Sequence, residues 1–251
     1  MSDPAPVPSA PQRLDQALVA RGLAPSRARA QALIAAGAVE VDGAPAARAS
    51  AKIAPGAEVR VTADPIPWVS RAALKLVHAL DAFGLTPQGI ALDLGASTGG
   101  FTEVLLARGA AHVHALDVGH GQLHPSLEAD PRVTSHEGIN VRALPEGLVP
   151  APDWIVSDLS FIGLEKALPP ALALARPGAR LVALIKPQFE AGPKAVGRGG
   201  LVKDPAVHAE VRARIRAFLG ASGWEVTHED ASPIEGGDGN REFLIAARKP
   251  A

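Results

Sequence analysis

Two short apolar runs end in groups that can handle a proton. Trp154-Ile-Val-Ser-Asp158 closes on a carboxylate, and Leu181-Val-Ala-Leu-Ile185-Lys186 closes on an amine. Asp93, in Ile90-Ala-Leu-Asp93-Leu, and Asp117, after His112-Val-His-Ala-Leu, repeat the pattern. In open, mostly parallel sheets the ligand sits at the carboxyl ends of the strands. Several ionisable residues at such ends are hard to assign to packing, because charges are rarely buried without a partner or a task. The chemistry they suit is proton removal from a poor nucleophile such as an alcohol. A lysine amine can take that proton if desolvation or a neighbouring cation keeps it neutral. Lys75 is a second amine and Glu242 a further carboxylate. By residue type alone, Lys75 reads as a snorkelling helix lysine and Glu242 as a strand-edge charge beside Arg241.

The turn after the first run, Gly95-Ala96-Ser97-Thr98-Gly99-Gly100, leads into the amphipathic stretch Phe101 to Arg108. Small residues there let the backbone approach a ligand. The spacing is neither G-x-G-x-x-G nor a phosphate loop. Asp93 would repel a pyrophosphate but suits a ligand with a cationic end, such as S-adenosylmethionine. Asp117 lies 22 positions beyond Gly95, where an acidic residue can reach ribose hydroxyls.

These residues need elements to carry them. Strands are expected at Ile90 to Leu94, His112 to Val118, Arg132 to Ser135, Trp154 to Leu159 and Leu181 to Ile185, with two more at Trp224 to Thr227 and Glu242 to Ala247. Helices are expected from Ser70, as N-cap, to about Ala82, with Leu74, Val77, Leu80 and, at the edge of the stripe, Ala73 inward, then over Leu164 to Ala175, broken at Pro169-Pro170, and over Ala206 to Leu219. The alternation argues an open sheet with helices on both faces. Pro187 to Asp204 reads as a long glycine-rich loop, a lid that contacts the substrate.

The front of the chain differs in charge. Residues 12–62 hold seven basic and four acidic side chains, against a whole-chain charge of −1. Helices over Arg13 to Arg21 and Arg27 to Ala36 precede strands at Val39 to Gly43 and Ala57 to Val61. Arg13-Leu14-Asp15, Arg21-Gly22-Leu23, Ser26-Arg27, Leu33-Ile34 and Val39…Val41-Asp42-Gly43 resemble the RNA-binding module named after ribosomal protein S-four. The resemblance implies RNA recognised by shape and phosphate. Six Phe, three Trp and no Tyr agree, since a stacking platform needs aromatics.

The chain has 47% hydrophobic and 20% charged residues and no cysteine, which excludes disulfides and thiolate-held metal. No apolar run is long enough to span a bilayer. His112, His114 and His120 show no metal-ligand spacing, so no metal is expected. Residues 1–11, with four prolines and no basic residue, read as a disordered tail rather than a targeting peptide.

In combination the motifs are similar to the TlyA (haemolysin A-like) rRNA methyltransferases. Those motifs are Ser70-Arg71…Lys75-Leu76, Asp93 to Thr102, Asp117 to Leu123, Ser157 to Ile162, Lys186 to Glu190, Gly192 to Asp204, and Ser232-Pro-Ile…Asn240…Glu242. The resemblance implies an α/β protein with a Rossmann-like class I methyltransferase sheet, helices on both its faces, and a small N-terminal α+β RNA-binding domain. It implies an RNA-binding domain over 12–63, a linker over 64–69 and an FtsJ-like domain over 70–249. The implied reaction is S-adenosylmethionine-dependent 2′-O-methylation of cytidine ribose in 16S and/or 23S rRNA, by a cytoplasmic monomer acting on rRNA or ribosomal subunits.

The catalytic tetrad implied is Lys75, Asp158, Lys186 and Glu242, with Lys186 as base. The cofactor would be held by Asp93, Gly95, Ala96, Ser97, Thr98, Gly99, Gly100, Phe101, Asp117, Asn140 and Asp158, with Asp93 facing its methionine end. RNA would meet Arg13, Arg21, Arg27, Arg29, Lys52, Arg71, Lys194 and Arg198. Two departures, Ala72-Ala73 in place of a glycine and Ile139 in place of a threonine, touch packing rather than any charged group. An NAD-dependent dehydrogenase is disfavoured by the turn spacing, a pseudouridine synthase by the sheet, and a non-catalytic assembly factor by the intact tetrad.

Overall fold

The computed structural model describes residues 11–24, 26–35, 37–46, 48–62 and 67–251, which divide into two compact units, Met1–Pro67 and Trp68–Ala251. The tail over residues 1–10, Pro25, Ala36 and linker residues 64–66 lie outside the described residues.

The front unit comprises β1 (Gln12–Arg13), α1 (Leu14–Ala20), α2 (Arg27–Ala35), β2 (Val39–Val41), β3 (Ala44–Pro45), β4 (Lys52–Ile53) and β5 (Val59–Val61). Leu14, Ala17 and Leu18 recur at helical spacing and are fully buried against Leu33, Ile34 and Val39. Arg13 was expected in the helix. It stands in β1 with extended backbone, and β1 pairs with β4. The last strand starts at Val59, two residues later than the alternation suggests; Ala57 closes a turn on Ala54.

The second unit holds α3 (Ala73–Ala82), β6 (Ile90–Leu94), α4 (Gly100–Ala107), β7 (His112–Leu116), α5 (Pro125–Glu128), β8 (Val133–His136), β9 (Trp154–Ser157), α6 (Leu164–Ala167), α7 (Pro169–Leu174), β10 (Arg180–Ile185), α8 (Pro187–Glu190), α9 (Pro205–Ala221), β11 (Glu225–Ala231) and β12 (Phe243–Arg248). Its seven strands run in the order β11-β12-β10-β9-β6-β7-β8. β6 to β10 are parallel, and β12 is antiparallel to β10 and β11. Successive strand residues face opposite sides. Leu181, Ala183 and Ile185 join a core under α6, α7 and α9, while Val182 and Leu184 join one under α3 and α4. Burial on both faces explains why these strands read as continuous apolar runs. The expected α/β architecture with helices on both faces is the one observed.

Three expectations change. The helix carrying Lys75 begins at Ala73, and Ser70 does not cap it. Gly100 explains why: a Cβ there would fall 2.2 Å from Ser70 Oγ, so the Ser70 hydroxyl is packed on the start of α4. On α3, Ala73 and Leu80 are buried as expected, but their buried companions are Lys75, Leu76 and Ala79, whereas Leu74 and Val77 are only partly buried. Lastly, the stretch from Pro187 to Asp204 is not structureless. It carries α8 and two 3₁₀ turns, Pro193–Ala195 and Arg198–Gly200. Among the described residues no helix is long and apolar enough to cross a membrane.

Candidate active site

Asp158 and Lys186 are the first residues beyond β9 and β10, which lie side by side in parallel. Antiparallel pairing sets Ile185 opposite Phe243, so Glu242, just before β12, leaves the sheet at the same edge as Lys186. Lys75 comes from the first turn of α3. Lys75 Nζ donates to Glu242 Oε2 at 2.6 Å and lies 3.5 Å from Asp158 Oδ2. Lys186 Nζ is 2.7 Å from Asp158 Oδ1 and donates to Ser160 Oγ at 3.1 Å. Asp158 thus stands between the two amines. All four charged side chains are 12% exposed or less, so their mutual attraction is weakly screened. Lys75, a snorkelling lysine by residue type alone but a tetrad member by the resemblance, is an inward-facing charge in a buried pair with Glu242.

The turn after β6 is held from behind. Leu116 C=O accepts from the Gly95 and Ala96 N–H groups at 2.9 and 3.0 Å. Asp117 accepts from the Ser97 N–H through Oδ2 and from the Gly119 N–H through Oδ1, both at 2.8 Å. Gly95 has φ +82°, and a Cβ there would come within 3.0 Å of Leu159. The bare backbone leaves an open cleft of about 580 Å³ whose lining includes Gly95, Ser97, Asp117, Asn140, Asp158 and Phe161.

A second cleft, of about 490 Å³, is lined by Lys75, Lys186, Gln188, Asp238 and Glu242, and shares Ser160 and Phe161 with the first. One cleft therefore offers carboxylates and a side-chain-free turn, and the adjoining one offers the amines.

Asp93 is placed differently from the expectation. It is fully buried and lines neither cleft. Oδ2 accepts from Thr102 Oγ1 at 2.7 Å, and Oδ1 has no hydrogen-bond partner. Burial pushes its carboxyl up to about 7, the Thr102 bond opposes the rise, and nearby Asp158 adds to it. Ala96, Gly99, Gly100 and Phe101 are likewise buried, and Thr98 is exposed; none of these lines the cleft. Of the residues expected at the cofactor, Gly95, Ser97, Asp117, Asn140 and Asp158 form the cleft wall. This donor set fits S-adenosylmethionine: carboxylates suit a ribose diol and a cationic methionine end, and the turn leaves room for the ligand.

The basic residues expected to meet RNA fall into distinct settings. Arg71, Lys194 and Arg198 are exposed, the last two flanking Val196 on the wall of the second cleft. In the front unit, Arg13 and Arg27 both bind buried Asp15, at 2.9 and 3.0 Å, and Lys52 is exposed. The Arg29 N–H donates to Ser26 Oγ at the start of α2. Arg21 is committed inside the unit, donating to the Ala57 and Pro55 carbonyls.

Three residues that the motifs contain are given no role by sequence reasoning. Ser160 touches Lys186. Phe161 is 91% exposed at φ +67°, with its ring 5.2 Å from that of Phe189. Asn240 is buried, accepts from the Val202 N–H and donates to Gly200 C=O, tying the glycine-rich segment to the loop before Glu242. An exposed aromatic at positive φ was the one signal of function, and it needs a backbone to be visible. Among the described residues no group of His, Cys, Asp and Glu is arranged to hold a metal.

Residues 68–249 match the FtsJ-like methyltransferase family and residues 12–59 match the S4 domain. The 16S/23S rRNA (cytidine-2'-O)-methyltransferase TlyA of Mycobacterium tuberculosis is 47% identical, over 94% of this chain and 89% of that one. Hemolysin A of Brachyspira hyodysenteriae is 38% identical over 92% of this chain and 98% of its own length. A solved Streptococcus thermophilus structure bearing a provisional hemolysin name superposes with a TM-score of 0.75 at 38% identity, covering 97% of this chain and 90% of that one. On this match and on the fold that carries it, the chain belongs to the FtsJ-like methyltransferase family, among the TlyA-type rRNA methyltransferases with an S4 domain in front.

Proposed function

We propose that the chain transfers a methyl group from S-adenosylmethionine to the 2′-hydroxyl of a cytidine in 16S and/or 23S rRNA, in the cytoplasm, with Lys186 as the base. The observation that carries the reading is the junction of the two clefts at Ser160 and Phe161, where Asp158 of the first cleft meets the Lys186 amine of the second. S-adenosylmethionine, when bound, supplies a methyl group already activated on a sulfonium.

What the chain must supply is position and a proton acceptor. Gly95, Ser97, Asp117 and Asn140 line the first cleft and would hold the cofactor's nucleoside. Lys186 takes the proton as the ribose oxygen attacks, so that the proton becomes the third N–H of its ammonium. The chain need supply no acid for the leaving group, because the bound sulfonium would take up the electron pair of the methyl–sulfur bond. Lys186 suits the task better than Lys75 on electrostatic grounds. Lys75 faces two carboxylates, at 2.6 and 3.5 Å, whereas Lys186 faces one carboxylate and a neutral hydroxyl. Removing a positive charge between two anions forfeits more attraction than removing it beside one. Lys75 and Glu242 then fix Asp158 from the far side. The Phe161 ring offers a flat face for the target base.

The front unit would grip structured rRNA through Arg13, Arg27, Arg29 and Lys52, and Arg71, Lys194 and Arg198 would extend the grip beside the cleft. The test is mass spectrometry of rRNA nucleosides from subunits incubated with the protein. We expect new 2′-O-methylcytidine with the wild type and a loss of at least about a hundredfold in rate with Lys186→Ala. No methylcytidine with the wild type refutes the reaction; a Lys186→Ala variant as fast as the wild type refutes the base.

A further inference from the structure

We infer that Ser160 is a positioning residue that aims the lone pair of Lys186 at the acceptor hydroxyl. The inference rests on the reading of Lys186 as base. A neutral lysine amine carries two N–H bonds and one lone pair, and rotation about Cε–Nζ decides where the lone pair points. Only a partner in hydrogen-bonding geometry fixes that rotation. Asp158 Oδ1, although 2.7 Å from Nζ, lies outside hydrogen-bonding geometry. Ser160 Oγ, at 3.1 Å, accepts from Nζ within it. Asp158 therefore supplies charge and Ser160 supplies direction.

The location of Ser160 supports the role. It is exposed at the rim where the two clefts meet, and it lines both. With one N–H turned to Ser160, the lone pair is confined to the remaining directions on nitrogen, and Lys186 itself lines the cleft where the acceptor would lie. A hydroxyl suits this better than a second carboxylate would, since it orients the amine without adding a negative charge that favours the ammonium. Lys75 is held the opposite way, hydrogen-bonded to a carboxylate.

The experiment is single-turnover methyl transfer by the full chain to unmodified ribosomal subunits, with labelled S-adenosylmethionine, comparing wild type, Ser160→Ala, Ser160→Thr and Lys186→Ala. Ser160→Ala is expected to slow the chemical step about tenfold or more, with KM for subunits, cofactor affinity by calorimetry and Tm unchanged. Ser160→Thr keeps the oxygen and is expected to restore most of the rate. A raised KM with an unchanged rate constant would show that Ser160 binds RNA instead and overturns the inference, as does Ser160→Ala at wild-type rate. If Ser160→Thr is as slow as Ser160→Ala, the oxygen is not what matters, and the inference also falls. Lys186→Ala separates the two levels: if it alone retains wild-type rate, the base assignment fails first; if it is inactive while Ser160→Ala is normal, only the role of Ser160 is lost.

Discussion

Glu242 can be probed by removing it alone and then together with its partner. Lys75 Nζ is 2.6 Å from Glu242 Oε2, and the side chains are 8% and 2% exposed. Glu242→Leu leaves the ammonium buried with Asp158 at 3.5 Å as its remaining anion. Stripping one partner from a buried pair costs about 3–5 kcal/mol. Asp158 keeps part of the attraction, which puts the cost near the lower end, about 3 kcal/mol. A domain of this size loses about 2–4 °C of Tm per kcal/mol, so the expected fall is about 6–12 °C. Lys75→Met with Glu242→Leu replaces both charges by apolar side chains and is expected to regain most of that loss, because no lone charge remains buried. Methyl transfer stays absent in both variants. Thermal unfolding followed by circular dichroism, with methyl incorporation measured in parallel, decides the matter. A double variant that melts as low as Glu242→Leu would falsify the orphaned-charge explanation. One that still methylates rRNA would remove the pair from the machinery.

Two pH dependences follow from the buried groups. Burial holds the Asp93 carboxyl up to about 7 against an ordinary 3.8. The folded state therefore keeps a proton that the unfolded chain has lost, and the stability this confers is full below pH 3.8, falls as pH rises and is gone above about 7. Asp93→Asn is neutral throughout, so its urea midpoint should gain on the wild type across that window; parallel curves would refute the assignment. His114 is the reverse case. Burial, then the neighbouring His112 and His136, lower it from 6.5 to about 4. Its contribution is intact above pH 6.5 and is lost as pH falls toward 4, and His114→Gln should flatten that acid slope. A His114 NMR titration centred near 6.5 would contradict it.

The strands themselves were legible because buried parallel strands leave continuous apolar runs, and Asp158 and Lys186 were legible because each ends one; the order of the strands in the sheet was not. Lys75 was not. The serine at position 70 looks like a helix cap, and starting the helix there gives the stripe as Leu74, Val77 and Leu80. In the fold Ser70 packs on Gly100, the helix starts at Ala73, and the stripe turns to include Lys75. Glu242 is legible only through its partner, which no local pattern reveals. Asp93 was placed correctly on its strand, but which face of the strand it occupied, buried or lining the cleft, depends on register. Arg21 shows the same limit: its charge was visible, but not the two carbonyls that occupy it.

The place of β12 bears on how the enzyme comes into being. This strand is inserted between β11 and β10, and the residue just before it must reach a lysine 167 positions earlier in the chain. Pairings this distant close slowly, since a long loop must be ordered before any contact rewards it. A chain that has formed its parallel strands but not yet seated β12 carries Asp158 and Lys186 side by side and leaves Lys75 with Asp158 alone. Until β12 is seated the tetrad lacks Glu242, so on refolding the recovery of methyl transfer is expected to report the pairing of that strand.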